Sequence, residues 1–370
     1  MNQFTMVGKV SVAKDTDKRK AFDTMTFASG WKKKELRLVM KCGEDTFYPI
    51  VSGMRSPKNE VGTLIQENDN YKYVTFNYRD VDKYLPLVPE FKKYKFVDGT
   101  DRQEVIDTYD LAELVFNRLI EGAYKDKFVK LTGEIVYNAY EDKFSHEMKQ
   151  IKKYEVHAIH VLEGEVEPKA MGNVDIFFDE DALDESNIDQ GIFKITGYVG
   201  QYDGKKKKAG LTENMGFVEQ FEYILTEKQL ETEARKQRVI DTIRKCVTPV
   251  ATDTLSKTGF NFKLVNRTES VELTEDMLSE DDKFDLECGL TTMYELREKY
   301  GAGNGDRVEK LVIGTFKNKY KQGAEKTVIT LSELLMTAEE YEKQQQNNSF
   351  EIVDDSDMFV DDLFGDGDPF

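Results

Sequence analysis

The sequence predicts a mainly β protein with helical insertions, built as two small closed barrels in tandem and followed by a disordered acidic tail. Three observations carry this reading. Apolar and polar residues alternate with period two through several segments. A glycine recurs inside an apolar strand in "MVGKV" (Met6–Val10), "KLTGEI" (Lys130–Ile135), "KITGYV" (Lys194–Val199) and "KLVIGTF" (Lys310–Phe316). The order helix, strand, strand closes both halves of the chain. A glycine within a strand permits the sharp coiling that lets one long strand serve two sides of a small barrel.

In the first half, Phe4–Ala13, Glu35–Cys42 and Thr46–Gly53 read as strands, and Gly43–Asp45 as a hairpin turn between the last two. An aromatic and basic stretch, Tyr71–Phe96, interrupts the pattern. Asp107–Lys125 has helix spacing, with Asp107 as its cap and Gly122 near its end. Phe128–Tyr140 and Ile151–Leu162 are strands again. Three strands, a helix and two strands is the order of an OB-fold, a Greek-key barrel whose sheet face and loops bind oligonucleotides or oligosaccharides.

The second half repeats this ending. Thr292–Gly303 reads as a helix, followed by strands at Val308–Tyr320 and Glu325–Leu331. A polar helix (Thr226–Val247) and an acidic, helix-leaning stretch (Leu273–Asp285) read as insertions or an appended layer. The domains expected are 1–163, an OB-fold with an insertion at about 60–99; 170–335, a second OB-like domain; 336–346, a terminal helix; and 347–370, the tail. The tail has low complexity, no base and no periodic apolar face, so it cannot offset the entropy of ordering itself.

Net charge is −18, and it is unevenly spread. Residues 1–162 carry 27 Lys+Arg against 25 Asp+Glu, whereas residues 344–370 carry eight acids and no base. Such asymmetry points to nucleic-acid contact or an acidic interaction tail. The three cysteines, Cys42, Cys246 and Cys288, stand far apart, which argues against a disulfide framework or a cysteine-rich zinc site and for a reducing cytoplasm. No apolar run approaches the ~20 residues of a membrane span.

Enzyme signatures are missing: there is no GxxxxGK[ST] loop and no EF-hand with its twelfth-position Glu. "GAGNGD" (Gly301–Asp306) follows a helix and precedes a strand, the reverse of a dinucleotide fingerprint. His157 and His160, at i and i+3 of a strand, point to opposite faces and suit a structural role better than a shared metal. No catalytic residue, metal or cofactor is expected.

The front half supplies what single-stranded nucleic acid needs, namely rings for stacking among cations that track phosphates. The only tryptophan, Trp31, precedes Lys32, Lys33 and Lys34, with Arg37 inside the following strand. Tyr71, Tyr73, Phe76, Tyr78 and Arg79 interleave rings with cations, as do Lys92, Lys93 and Tyr94. Tyr137 and Tyr140 lie near a strand end. The competing reading of any one strand ring is core. "GKKKK" (Gly204–Lys208) reads as a loop tip, or as an exposed basic loop able to touch phosphate.

Strand-rich OB-like domains, a polar spacer and an acidic tail closing on Asp368-Pro369-Phe370 resemble the single-stranded DNA-binding proteins of bacteria and their phages. Asp361, Asp362, Asp366 and Asp368 match the family's acidic tip, and Pro369 and Phe370 its last two residues. Gly367 and Asp368 depart from it, because no hydrophobic residue directly precedes Pro369; Leu363 and Phe364 lie nearby. The large insertion and second barrel are closer in style to phage-encoded members. The resemblance implies a protein of the bacterial cytoplasm that coats single-stranded DNA, with RNA as the other ligand to test. It also implies recruitment of replication, recombination and repair proteins through the tail, competition of the tail with DNA, and self-association as among cellular members. The rival from another class is an acidic protein–protein scaffold or nucleic-acid mimic, favoured by the −20 carried by residues 163–370.

Overall fold

The computed structural model describes residues 2–340, apart from 18, 69, 123, 143, 144, 212, 213, 250–253, 269–277, 293, 294, 297, 298, 300–306, 317–324, 327, 328 and 338. The Gly301–Asp306 turn and the tail, including Asp361 to Phe370, lie outside the described residues.

The first barrel is built from β1 (Gln3–Val12), β3 (Lys32–Cys42), β5 (Ile50–Arg55), β10 (Phe128–Glu141) and β11 (Met148–Leu162). β2 (Phe22–Thr26) and β4 (Asp45–Phe47) extend β3 on its two sides. Between β5 and β10 come the hairpin β6 (Glu60–Glu67) and β7 (Asn70–Asn77), the short helix α1 (Val81–Tyr84), the hairpin β8 (Tyr94–Asp98) and β9 (Asp101–Val105), and helix α2 (Thr108–Ile120). α2 starts where the sequence predicts: the Asp107 carboxylate accepts from the Asp110 N–H at 2.9 Å.

The barrel closes through one ring of pairings. β1 pairs antiparallel with β3 and β10, β3 with β5, β10 with β11, and β5 meets β11 in parallel at Ile50 and Glu155. This is the OB order. Gly8 is the corner. β1 pairs with β10 up to Gly8 and with β3 from Lys9 onward, and a Cβ on Gly8 would lie 2.0 Å from the Lys41 carbonyl oxygen. Only a glycine lets the strand cross there. Phe4, Met6, Leu36, Leu38, Met40, Phe47 and Val51 fill the interior, each contributing roughly 1.5–3 kcal/mol by burial.

The second barrel follows with β12 (Lys169–Phe178), β13 (Leu183–Asp184), β14 (Ile192–Tyr202), helix α3 (Gly204–Lys208), β15 (Asn214–Ile224), helices α4 (Glu227–Leu230) and α5 (Glu233–Val247), β16 (Ser256–Thr268), α6 (Glu280–Glu287), β17 (Arg307–Phe316), β18 (Glu325–Lys326) and α7 (Leu331–Leu335). β12, β14, β15, β17 and β16 close by the same pairings, including a parallel contact between Glu222 of β15 and Val312 of β17. The single helix expected over Thr226–Val247 is two, because Thr232 caps a fresh start by accepting from the Arg235 N–H. Gly204–Lys208 is a short helix. Its Lys206 is fully buried and donates to the carbonyls of Glu333 and Leu334 at 2.7 and 2.9 Å, tying α7 to the barrel.

The two barrels share registers residue for residue. Each has a bulge at the same step of its last hairpin, after Thr132 in β10 and after Asn261 in β16. Gly133 and Phe262, the next residues, are therefore equivalent, and so are their partners Phe4 and Gly172. Phe4 and Gly172 also pair with each other, where β1 runs antiparallel to β12. A local two-fold axis thus passes between them. The rung reads Gly133, Phe4, Gly172, Phe262 across four strands, so each ring lies over a glycine.

Candidate nucleic-acid interface

The alternation of β3 divides its cations between two faces. Leu36, Leu38 and Met40 point inward, so Lys33, Glu35 and Arg37 point outward. Lys34 has the inward parity. It runs over the barrel end to α2, where it meets Glu113 at 2.7 Å and the Tyr109 ring at 4.2 Å. Lys34 is thereby removed from the outer face. Glu35 sits between Lys33 and Arg37, 2.6 Å from each. Burial opposes its charge, yet the two cations hold its carboxyl below the usual range.

Beside β3, a groove of about 620 Å³ runs across β5 and the β10–β11 hairpin. Arg19, Arg37, Lys152 and Lys153 line it together with Tyr48 and Tyr140. The two rings are exposed, 56% for Tyr48 and 46% for Tyr140, and so lie within reach of a ligand. The Arg307 guanidinium of the second barrel approaches the Tyr48 ring at 5.6 Å. Lys152 is already engaged by Glu219 and Glu309 of the second barrel, at 3.0 and 3.3 Å. Lys153 forms no ion pair among the described residues.

Above the groove, burial raises the carboxyls of Glu155 and Glu134, and Lys153 partly counters this at Glu155. His157 packs edge-on against Tyr94, with ring centroids 5.3 Å apart. Burial lowers its pKa, and nearby Lys92 lowers it further. The imidazole is therefore neutral at pH ~7.

The predicted site residues fall into separate groups. Arg37 and Tyr140 meet in the groove, and Lys33 shares its face. Trp31 is 41% exposed at the tip of the β2–β3 hairpin, beside exposed Lys32. The Trp31 carbonyl accepts from the Phe27 N–H at 2.8 Å, and Gly30 turns the chain at φ +82°. Tyr71 and Tyr73 are exposed on the β6–β7 insertion, where Tyr71 meets Phe91 edge to face. Exposed Arg79 and Lys92 lie on the same insertion.

Two further assignments, Phe76 and Tyr137, are corrected by burial, and Tyr78 and Lys93 are held in contacts within the protein. Phe76 packs with Val61, Ile65 and Val88 in the insertion's own core, stacked on Tyr84. Tyr137 is 1% exposed and donates to Glu219 at 2.9 Å, so it joins the barrels and cannot stack on a base. Tyr78 lies 3.8 Å beneath the Arg55 guanidinium, which also meets Asp107 and Asp110 at 2.6 and 2.8 Å. This clasp fastens the insertion to α2. Lys93 is held by Glu90 and Glu104 at 3.1 and 2.8 Å.

The sequence reading missed Arg19, Tyr48, Lys152 and Lys153. Carrying the outward parity of Arg37 across to its ladder partner Ile50 reaches Tyr48 two residues back. The parallel contact of Ile50 with Glu155 reaches Lys153 in the same way. Both steps need the strand pairing, which alternation alone does not supply. Among the described residues no cluster of three or more His, Cys, Asp or Glu could hold a metal, and no helix is long and apolar enough to cross a membrane.

No family model matches this chain, and no curated protein matches it. Among solved structures it is similar to the single-stranded DNA binding protein from Thermus aquaticus. The wild-type structure aligns at TM-score 0.30 with 12% identity, covering 72% of this chain and 85% of that one. A deletion mutant of the same protein aligns at TM-score 0.30 with 13% identity, covering 76% and 98%.

Proposed function

We propose that this chain is a non-catalytic single-stranded DNA-binding protein that coats exposed strands during replication, recombination and repair. The observation that carries the reading is the groove on the outer face of the first barrel. It combines two exposed tyrosines with Arg19, Arg37 and Lys153. Stacking is worth ~1–3 kcal/mol per base and is indifferent to sequence, while the cations neutralise phosphates. Trp31 and Lys32, on the neighbouring hairpin, extend the surface. Tyr71, Tyr73, Arg79 and Lys92, exposed on the insertion, are the remaining residues proposed to contact the strand.

The acidic tail adds two roles to this reading. Asp361, Asp362, Asp366 and Asp368 compete with DNA for the basic groove, and Leu363, Phe364, Pro369 and Phe370 enter apolar pockets on replication and repair partners. Tethering keeps the tail's effective concentration high, and salt screens its attraction. The protein acts in the cytoplasm of a bacterial host and is phage-encoded.

A titration of labelled oligo-dT at low salt, with RNA and duplex competitors, tests the reading. Tight binding that single-stranded DNA displaces best is expected; no binding would refute it. The scaffold reading draws on the −18 net charge, and it predicts partner capture with no oligo-dT binding at any salt.

A further inference from the structure

We infer that the chain binds one strand, on the first barrel only, and that the second barrel is a non-binding counterpart of the first. This rests on the functional reading above. The shared registers allow the two outer faces to be compared position by position. Ile50 and Glu222 each make the single parallel contact that closes their barrel, so they are equivalent. Their antiparallel partners, Arg37 and Lys194, are equivalent as well.

From these anchors the remaining groove positions follow. Tyr48 is replaced by Gln220, so the second face has no ring where the first has its most open one. Lys152 is replaced by Glu309. Lys153 corresponds to Lys310, which is paired with Glu222 at 3.4 Å. Glu222 itself stands where the first barrel has the neutral Ile50. The second face has thus lost a stacking platform, and although Ile192 stands in place of Glu35, this face carries Glu222 and Glu309 where the first has Ile50 and Lys152. Exposed Val218 and Ile224 flank this face and offer phosphate nothing. Glu222 is tied to Lys310 and Glu309 to Lys152, so these positions offer a phosphate no free cation, and the missing ring removes the stacking that would supplement Lys194.

The test uses the full chain and oligo-dT of about 12 nucleotides, within the span of one OB-fold. Strands per chain are counted at protein concentrations well above the dissociation constant. Arg37→Glu is compared with its counterpart Lys194→Glu. One strand per chain is expected, with binding weakened at least about tenfold by Arg37→Glu and less than about twofold by Lys194→Glu. Arg37 also donates to the Lys20 carbonyl, so Lys153→Glu is measured alongside as a second first-barrel variant with no such bond. Two strands per chain, or a loss in Lys194→Glu equal to that in the first-barrel variants, overturns the inference while leaving the functional reading intact. No binding by the unaltered chain removes that reading and this inference with it.

Discussion

Glu35 offers a quantitative handle on the groove. Its carboxylate is shared by Lys33 and Arg37, so the three groups together present one net positive charge. Lys152 contributes none, because Glu219 and Glu309 already surround it. Arg19 and Lys153 add one each. About three phosphates are therefore neutralised. At about 0.7 per phosphate for a single strand, log affinity should fall against log salt with a slope of about −2.1. Between ~50 and ~200 mM salt that is roughly an 18-fold loss. Glu35→Gln releases one further cation. The slope should steepen to about −2.8, a loss of roughly 50-fold over the same interval, with tighter binding at the low-salt end. Fluorescence anisotropy of labelled oligo-dT, at four salt concentrations for both proteins, measures this. A slope near zero, or identical slopes for the two proteins, would refute the count and the placement of phosphate on this face.

Three more outcomes are expected. Arg55→Met leaves two half-buried carboxylates unpaired and removes the stack on Tyr78, so urea unfolding should show a loss of about 2–4 kcal/mol; a loss below about 1 kcal/mol would contradict the clasp. A Cβ on Gly172 would lie 2.2 Å from the Phe262 ring. Gly172→Ala should therefore destabilise by about 1–3 kcal/mol through overpacking, and an unchanged melting curve would mean the ring moves freely. Burial raises the carboxyls of Glu134 and Glu155, which therefore bind protons more readily in the folded chain than in the unfolded one. They favour the folded state as pH falls through their raised values and oppose it as pH rises. The same protonation removes negative charge beside Lys153, so oligo-dT binding should tighten from pH ~7 toward pH ~5 and Glu155→Gln should flatten the response. Binding that loosens over this range would exclude the pair.

The barrel order was legible because its signals are local. Gly8 and Gly133 sit inside apolar strands, and Asp107 stands just before a helical pattern. The candidate site was only partly legible, because a strand's alternation defines two faces without saying what covers each. Tyr137 and Tyr140 belong to one strand three residues apart; the first is enclosed by the second barrel and the second is open. Lys33 and Lys34 are adjacent, yet one borders the groove and the other reaches back to α2. Phe76 reads as exposed until the insertion is seen to carry a core of its own. Tyr48 and Lys153, more than a hundred residues apart, become neighbours only through the pairings of Ile50.

The rung of Phe4 and Gly172 has a consequence for how such a molecule can change. In an assembly of two identical chains, a residue on the two-fold axis faces its own copy. Phenylalanine would confront phenylalanine, or glycine would confront glycine, and every substitution there would arrive twice. Here the axis passes between a ring and a bare backbone, a pairing that identical subunits could not hold. Joining the two halves in one polypeptide has freed each side of the seam to vary alone, one side supplying bulk and the other yielding room.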